Sequence, residues 1–241
     1  MSNKIEIETL NIGIKNGRND AVCINIPDDA TTALVSTKNK YAAAPVILNK
    51  INITKNNPKY LFINSGNANA CTGKTGMRNT IECTMLLAKK LNCQKEKILM
   101  FSTGIIGRQL PMKLISKKII NHSFKFNSSW ISASKSIMTT DAFNKYLNKT
   151  IMLGKKKISI KGMCKGAGMI EPNMATMLAF ISIDLHLNKT LLSQLLKKAV
   201  DSSFNCISVD GDMSTNDSVA IIATGENKDL NLKNKPQMLS K

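Results

Sequence analysis

The chain has 241 residues, 43% of them hydrophobic, and its 34 Lys and Arg against 16 Asp and Glu leave a formal charge of +18. That length allows a substantial core, as one large domain or two small ones. No apolar run is long enough to span a bilayer, and Met-Ser-Asn-Lys-Ile-Glu-Ile-Glu at the start has no signal-like apolar stretch, so the expected compartment is cytoplasmic with no membrane partner. The lysines are spread along the chain and the aromatics (5%) are not interleaved with them, which argues against a nucleic-acid partner. Six scattered cysteines without a CxxC pair, and two histidines, argue against a zinc site and for reduced thiols.

Residues 5–14 alternate apolar and polar side chains and predict a strand. Residues 20–26 and 32–35 predict two more, separated by the turn Pro27-Asp28-Asp29. Residues 42–53 read as a continuation of this β-rich opening. A short apolar strand at 60–63 then runs into Asn64, Ser65, Gly66, Asn67 and Asn69. Such a loop is either a turn held by asparagine side chains or the polar wall of a site. Helical spacing of apolar residues marks 77–91.

The strand at 98–101 stops at Ser102-Thr-Gly-Ile-Ile-Gly107. There the Thr103 hydroxyl and the Gly104 N–H form a pair of donors suited to a developing oxyanion, or a plain strand-to-helix turn before a helix at 111–120. A helix at 128–138 puts Trp130 in the core and ends in Met138-Thr-Thr-Asp141. A hairpin at 149–153 and 157–161 turns on Gly154-Lys155-Lys156.

It delivers a glycine-rich stretch containing Gly162, Gly166 and Gly168, a turn at Pro172-Asn173, and a strand at 174–183. At that junction Thr176 is either a β-branched residue opening a strand or a nucleophile that cuts the bond after Ala175. A helix follows at 191–199. Asp210, Asp212 and Asp217 then suggest a metal loop, but no glutamate closes it at EF-hand spacing, so no metal is expected. The last predicted strand is 218–224.

The segment Lys165-Gly-Ala-Gly-Met-Ile-Glu-Pro-Asn-Met-Ala-Thr-Met-Leu178 resembles the self-cleavage segment of the bifunctional glutamate N-acetyltransferase/ornithine acetyltransferase family of arginine biosynthesis. Asn64-Ser-Gly-Asn-Ala-Asn-Ala70, Ser102-Thr-Gly-Ile-Ile-Gly107, Met138-Thr-Thr-Asp141 and Asp210-Gly-Asp-Met-Ser-Thr-Asn-Asp217 are similar to further elements of that family. The resemblance implies autocatalytic cleavage between Ala175 and Thr176, leaving an α chain of 1–175 and the start of a β chain at 176–241, interlocked in a heterotetramer. It implies a multifunctional acyltransferase in which Thr176 is the nucleophile, Thr103 and Gly104 form the oxyanion hole, and Thr139, Lys165 and Thr176 contact substrate. Acetyl would pass from N2-acetylornithine to glutamate through acetyl-Thr176, without a cofactor, and acetyl-CoA is a possible further donor.

The fold implied is α+β, a layered sandwich of the self-processing N-terminal-nucleophile type with helices outside stacked mixed sheets. Departures from the family pattern are Met213 in place of a threonine, no proline beside Asn144-Lys145, and Glu171 where a small residue is expected. Family members continue past the position of Lys241, with a catalytic glutamate and further substrate residues in that part. The chain is therefore expected to be a fragment, a shortened product or one piece of a split enzyme. Alternative readings are a related self-processing amidohydrolase or aminopeptidase, and a truncated non-catalytic remnant.

Overall fold

A computed structural model of the chain describes residues 4–171 and 177–227. In chain order it has β1 (Glu6–Leu10), β2 (Ala21–Asn25), β3 (Thr31–Ser36), α1 (Ala44–Lys55), β4 (Tyr60–Asn67), α2 (Gly73–Leu91) and β5 (Ile98–Ile105). Then come α3 (Met112–Asn121), α4 (Trp130–Ile137), β6 (Lys145–Leu153), β7 (Lys156–Lys165), β8 (Leu178–Leu185), α5 (Lys189–Asp201) and β9 (Ser218–Asn227). One sheet has the order β1-β2-β4-β5 and the other β3-β9-β8-β7-β6. Both are mixed. Each contains one parallel pair, β4 with β5 and β8 with β9, joined through a helix, as parallel neighbours require.

The central strands are apolar runs because both of their faces are covered. In the first sheet Val22, Ile24, Leu61, Ile63, Leu99 and Phe101 point to the second sheet. Their neighbours Ala21, Cys23, Phe62, Ile98 and Met100 pack under α2 and α3 through Leu87, Ile115 and Ile119. In the second sheet Phe180, Ala220 and Ile222 face inward, whereas Ala179, Val219 and Ala223 meet Leu192, Leu196 and Val200 of α5. The side-chain period of two thus builds four layers, helix on sheet on sheet on helix, which is the α+β sandwich expected. Phe101 and Phe180 close the inter-sheet core edge to face at 5.0 Å. Fully buried rings of this kind contribute about 1.5–3 kcal/mol each.

One helix departs from the layering. Trp130, Ala133 and Ile137 of α4 belong to the core between the sheets, so α4 is packed within the sandwich. The Ser129 side chain caps it by accepting from the Ser132 N–H.

The β-rich reading of 42–53 is overturned, for this stretch is α1. Its β-branched Ile47 and Ile51 lie exposed. Pro45 occupies the first helical turn, and the buried face carries Pro45, Asn49 and Asn52 at helical spacing. Asn49 donates to the Met100 carbonyl at 2.6 Å and accepts from the Met100 N–H at 2.8 Å. Its amide therefore occupies the free edge of β5. A helix that buries asparagine gives no amphipathic signal to read. The strands at 60–63 and 98–101 also run on, through Asn67 and Ile105, so both polar motifs expected as loops lie on strand ends.

Candidate functional site

Because α2 connects β4 to β5 in parallel, the polar ends of both strands emerge at the same end of the sandwich. Gly66 pairs with Gly104 there. Gly104 has φ +131°, and a Cβ on it would meet the Gly66 carbonyl carbon at 2.3 Å. The two backbones come this close because residue 104 has no side chain, while a Cβ on Gly66 would instead meet the Ile14 side chain at 2.7 Å. The asparagines of this end hold its shape. Asn64 donates to the Asn67 carbonyl at 2.8 Å and accepts from Ser102 Oγ at 2.6 Å, and Asn69 donates to the Thr80 hydroxyl at 2.7 Å.

Lys165, the last residue of β7, reaches this end from the other sheet. It is 5% exposed, and its Nζ donates to Thr103 Oγ1 at 3.1 Å. Burial lowers the Lys165 pKa, against the pull of Asp141 and Asp217. A threonine hydroxyl that accepts from an ammonium keeps its own O–H for donation, as an oxyanion hole requires. Sixty-two positions separate these residues, which the fold brings into direct contact.

Thr139 joins the same group through Asp141. That carboxylate accepts from Lys145 Nζ at 2.6 Å, the Gly166 N–H at 2.8 Å and the Thr139 N–H at 3.1 Å. Burial would raise its pKa, but these three donors outweigh it and hold the carboxyl below the usual range. The end of α4 is fixed in turn by Lys15, whose Nζ donates to the Met138 carbonyl and to Ser65 Oγ. Burial, then the nearby Arg18, lowers the Lys15 pKa to about 8. Sequence reading missed Lys15, since a single lysine in a loop gives no local signal.

Ala175 and Thr176, and with them the proposed chain boundary between 175 and 176, lie outside the described residues. Both flanks of that segment are described, and one loop holds both. On the near side Asp210 accepts from the Met169 N–H at 2.6 Å and the Ile170 N–H at 2.8 Å. Val209 N–H donates to the Ile170 carbonyl at 2.9 Å, and the Ser208 hydroxyl meets Glu171 Oε2 at 3.0 Å. On the far side Asp217 Oδ1 accepts from the Met177 N–H at 2.9 Å. Asn216 then ties the loop to the first sheet, donating to the Ser102 carbonyl at 2.8 Å and to the Ala68 carbonyl at 2.7 Å. The chain just before and just after the segment is thus held by one loop, and the far end of that loop is bonded beside Thr103.

A family model described as the ArgJ family matches residues 6–241. The chain belongs to the ArgJ family. The arginine biosynthesis bifunctional protein ArgJ, mitochondrial, of Dictyostelium discoideum is 45% identical over 214 residues, covering 88% of this chain and 48% of the relative. Among solved structures, the arginine biosynthesis bifunctional protein ArgJ of Bacillus halodurans is 29% identical with a TM-score of 0.62, over 70% of this chain and 90% of that one. The ornithine acetyltransferase of Mycobacterium tuberculosis, solved with ornithine, is 28% identical with a TM-score of 0.56, over 70% and 91%. This ArgJ-family chain spans about half the length of the curated relatives it matches.

Asp141 and Asn216 brace this strand end, and residue-by-residue reading singles out neither; Asp217 is weighed there only as a metal ligand, and in the structure it bonds the Met177 backbone. The signal was present, because each stands in a quoted motif, Met-Thr-Thr-Asp or Ser-Thr-Asn-Asp.

Proposed function

We propose that the chain is the self-processing part of an acetyltransferase of arginine biosynthesis, with Thr176 as nucleophile. The observation that carries this reading is that the loop 208–217, which bonds both flanks of the segment, is tied through Asn216 to the Ser102 carbonyl, next to Thr103. Thr176 Oγ attacks the Ala175 carbonyl, the acyl group shifts from nitrogen to oxygen, and water opens the ester. The freed α-amine, with an ordinary pKa of about 7.7–8.0, then serves as base for its own hydroxyl. Acetyl passes from N2-acetylornithine to Thr176 and on to glutamate, and acetyl-CoA is a second donor.

Thr103 and Gly104 hold the oxyanion, each donor contributing on the order of 10²–10³ in rate. Lys165 and Thr139 stand beside the substrate, Lys165 with its charge polarising the Thr103 hydroxyl. The α and β chains stay together after cleavage, as a heterotetramer, in the cytosol. Among the described residues no helix is long and apolar enough to cross a membrane.

Purified protein is expected to run as two pieces on a denaturing gel, and Thr176→Ala as one. Acetyl transfer from N2-acetylornithine to labelled glutamate should vanish in that variant and fall about 10²-fold in Thr103→Val. A single full-length band from the unmodified chain would sink the reading.

A further inference from the structure

Away from Thr103, the inner face of the second sheet turns polar. Met163, Phe180 and Ile222 belong to the core between the sheets. Two residues along each strand, the same face is presented by Lys161 of β7, Ser182 of β8 and Thr224 of β9, and Asp184 follows Ser182. These side chains line a cavity of about 180 Å³ whose apolar wall is Ile5 and Trp130. Strand β8 starts at Leu178, paired with Lys165, so Asp184 lies about 20 Å farther along it, at the other end of the sandwich.

In this cavity Asp184 Oδ1 and Thr224 Oγ1 are enclosed and have no hydrogen-bond partner among the described residues. Asp184 is oriented by its other oxygen, for Oδ2 accepts from the Ser159 N–H at 3.0 Å. Thr224 is 3% exposed. The parallel register that pairs Ser182 with Ile222 and Ile183 with Ala223 sets Asp184 and Thr224 at the same level on neighbouring strands. Buried polar groups are paired as a rule, so two unmet oxygens side by side call for a donor from outside the fold. Glu226 adds a second carboxylate to the wall, and Lys4 and Lys161 add two ammonium groups. A wall of balanced charge is poorly suited to a bare dication, which takes about six or more oxygen ligands. It matches a molecule that carries one charge of each sign. The space admits only a small one, since a cavity of about 150 Å³ is filled by benzene.

We propose that this cavity binds a small aliphatic amino acid as its zwitterion. The ammonium group donates to Asp184 Oδ1 and Thr224 Oγ1, the carboxylate meets Lys161 and Lys4, and the hydrocarbon lies against Ile5 and Trp130. The site is separate from that of Thr103 and stands or falls without the Thr176 reading.

Trp130 is the single tryptophan of the chain, so its fluorescence reports on this cavity. Titrating the full chain with L-valine is expected to give a saturable change below about 10 mM. Equilibrium dialysis of labelled L-valine should count one equivalent per chain. Isobutylamine and isovalerate keep the hydrocarbon and one charge each, and should bind at least about 10-fold more weakly. Asp184→Asn should weaken L-valine about 10-fold or more, and Thr224→Val about 3-fold or more.

The absence of any saturable signal, with water alone filling the cavity, overturns the assignment. An amine or acid analogue that binds as tightly as L-valine overturns it too, because one set of charges is then idle. L-valine binding that both variants leave unchanged places the ligand elsewhere and is equally fatal. If Asp184→Asn does not fold, as judged by circular dichroism, a folded Thr224→Val chain with unchanged affinity for L-valine overturns it alone.

Discussion

Asp20 and Asp217 are two buried aspartates, each placed just before a strand, β2 and β9, and each gripping a loop by its backbone. Asp20 is fully enclosed, and both its oxygens are used. Oδ1 accepts from the Ile12 N–H at 2.7 Å, and Oδ2 from the Ile14 and Lys15 N–H groups at 2.6 and 2.7 Å. Asp217 is as deeply buried, but its Oδ1 takes one backbone bond and its Oδ2 has no hydrogen-bond partner among the described residues. The first acid completes a fold element and has nothing further to bind. The second braces a single backbone N–H and stays a buried acid whose pKa burial raises to about 8.

The comparison is broken most strongly at Asp20. Asp20→Ala leaves three backbone donors without their acceptor, a loss expected to exceed about 3 kcal/mol. In a chain of this size that lowers the thermal midpoint by about 6–12 °C, measurable by scanning fluorimetry. Asn216→Ala comes next. It removes the two bonds from Asn216 Nδ2 to the first sheet, for an expected loss of about 2 kcal/mol, and loosens the flank after Thr176 so that self-cleavage slows on the same gels.

Asp217→Asn sharpens the contrast through pH. An unfolded aspartate releases its proton near about 3.9, whereas the folded one keeps it to about 8. Between those values the folded state binds the extra proton, so this group's contribution to stability falls as pH rises, by no more than about 1.4 kcal/mol per unit. Asparagine cannot titrate. Urea midpoints of the variant and the unmodified chain should therefore diverge in the variant's favour from about pH 5 to about pH 8. Parallel curves would place Asp217 with Asp20 as a plain structural acid. The smallest expected change is in Lys165→Met. Replacing a buried charge by an apolar side chain of similar length should leave stability within about 1 kcal/mol. Acetyl transfer should nevertheless fall as Thr103 loses its cation, which a paired melting and activity assay would detect.

Much of the architecture was legible along the chain. Short apolar runs between turn signals predicted the strands around 20–26 and 98–101, and helical spacing predicted α2, α4 and α5, because the side chains that share a helix face recur at fixed local intervals. The exception was α1, whose buried asparagines answer a strand edge some fifty residues away. The motifs also named Thr103, Gly104, Thr139 and Lys165 from the resemblance, but their relation to one another was not legible.

From its sequence alone this protein's strand and helix periods, its lack of a bilayer-length apolar run and its family resemblance were determined, since these depend on neighbours in the chain. Only the tertiary structure decided that Lys165 would bond Thr103, that Asn216 would staple the loop to Ser102, and that Asp217 would be buried against the Met177 N–H. Those contacts join positions 62 and 114 residues apart, and no local pattern encodes the packing of two sheets that brings them together.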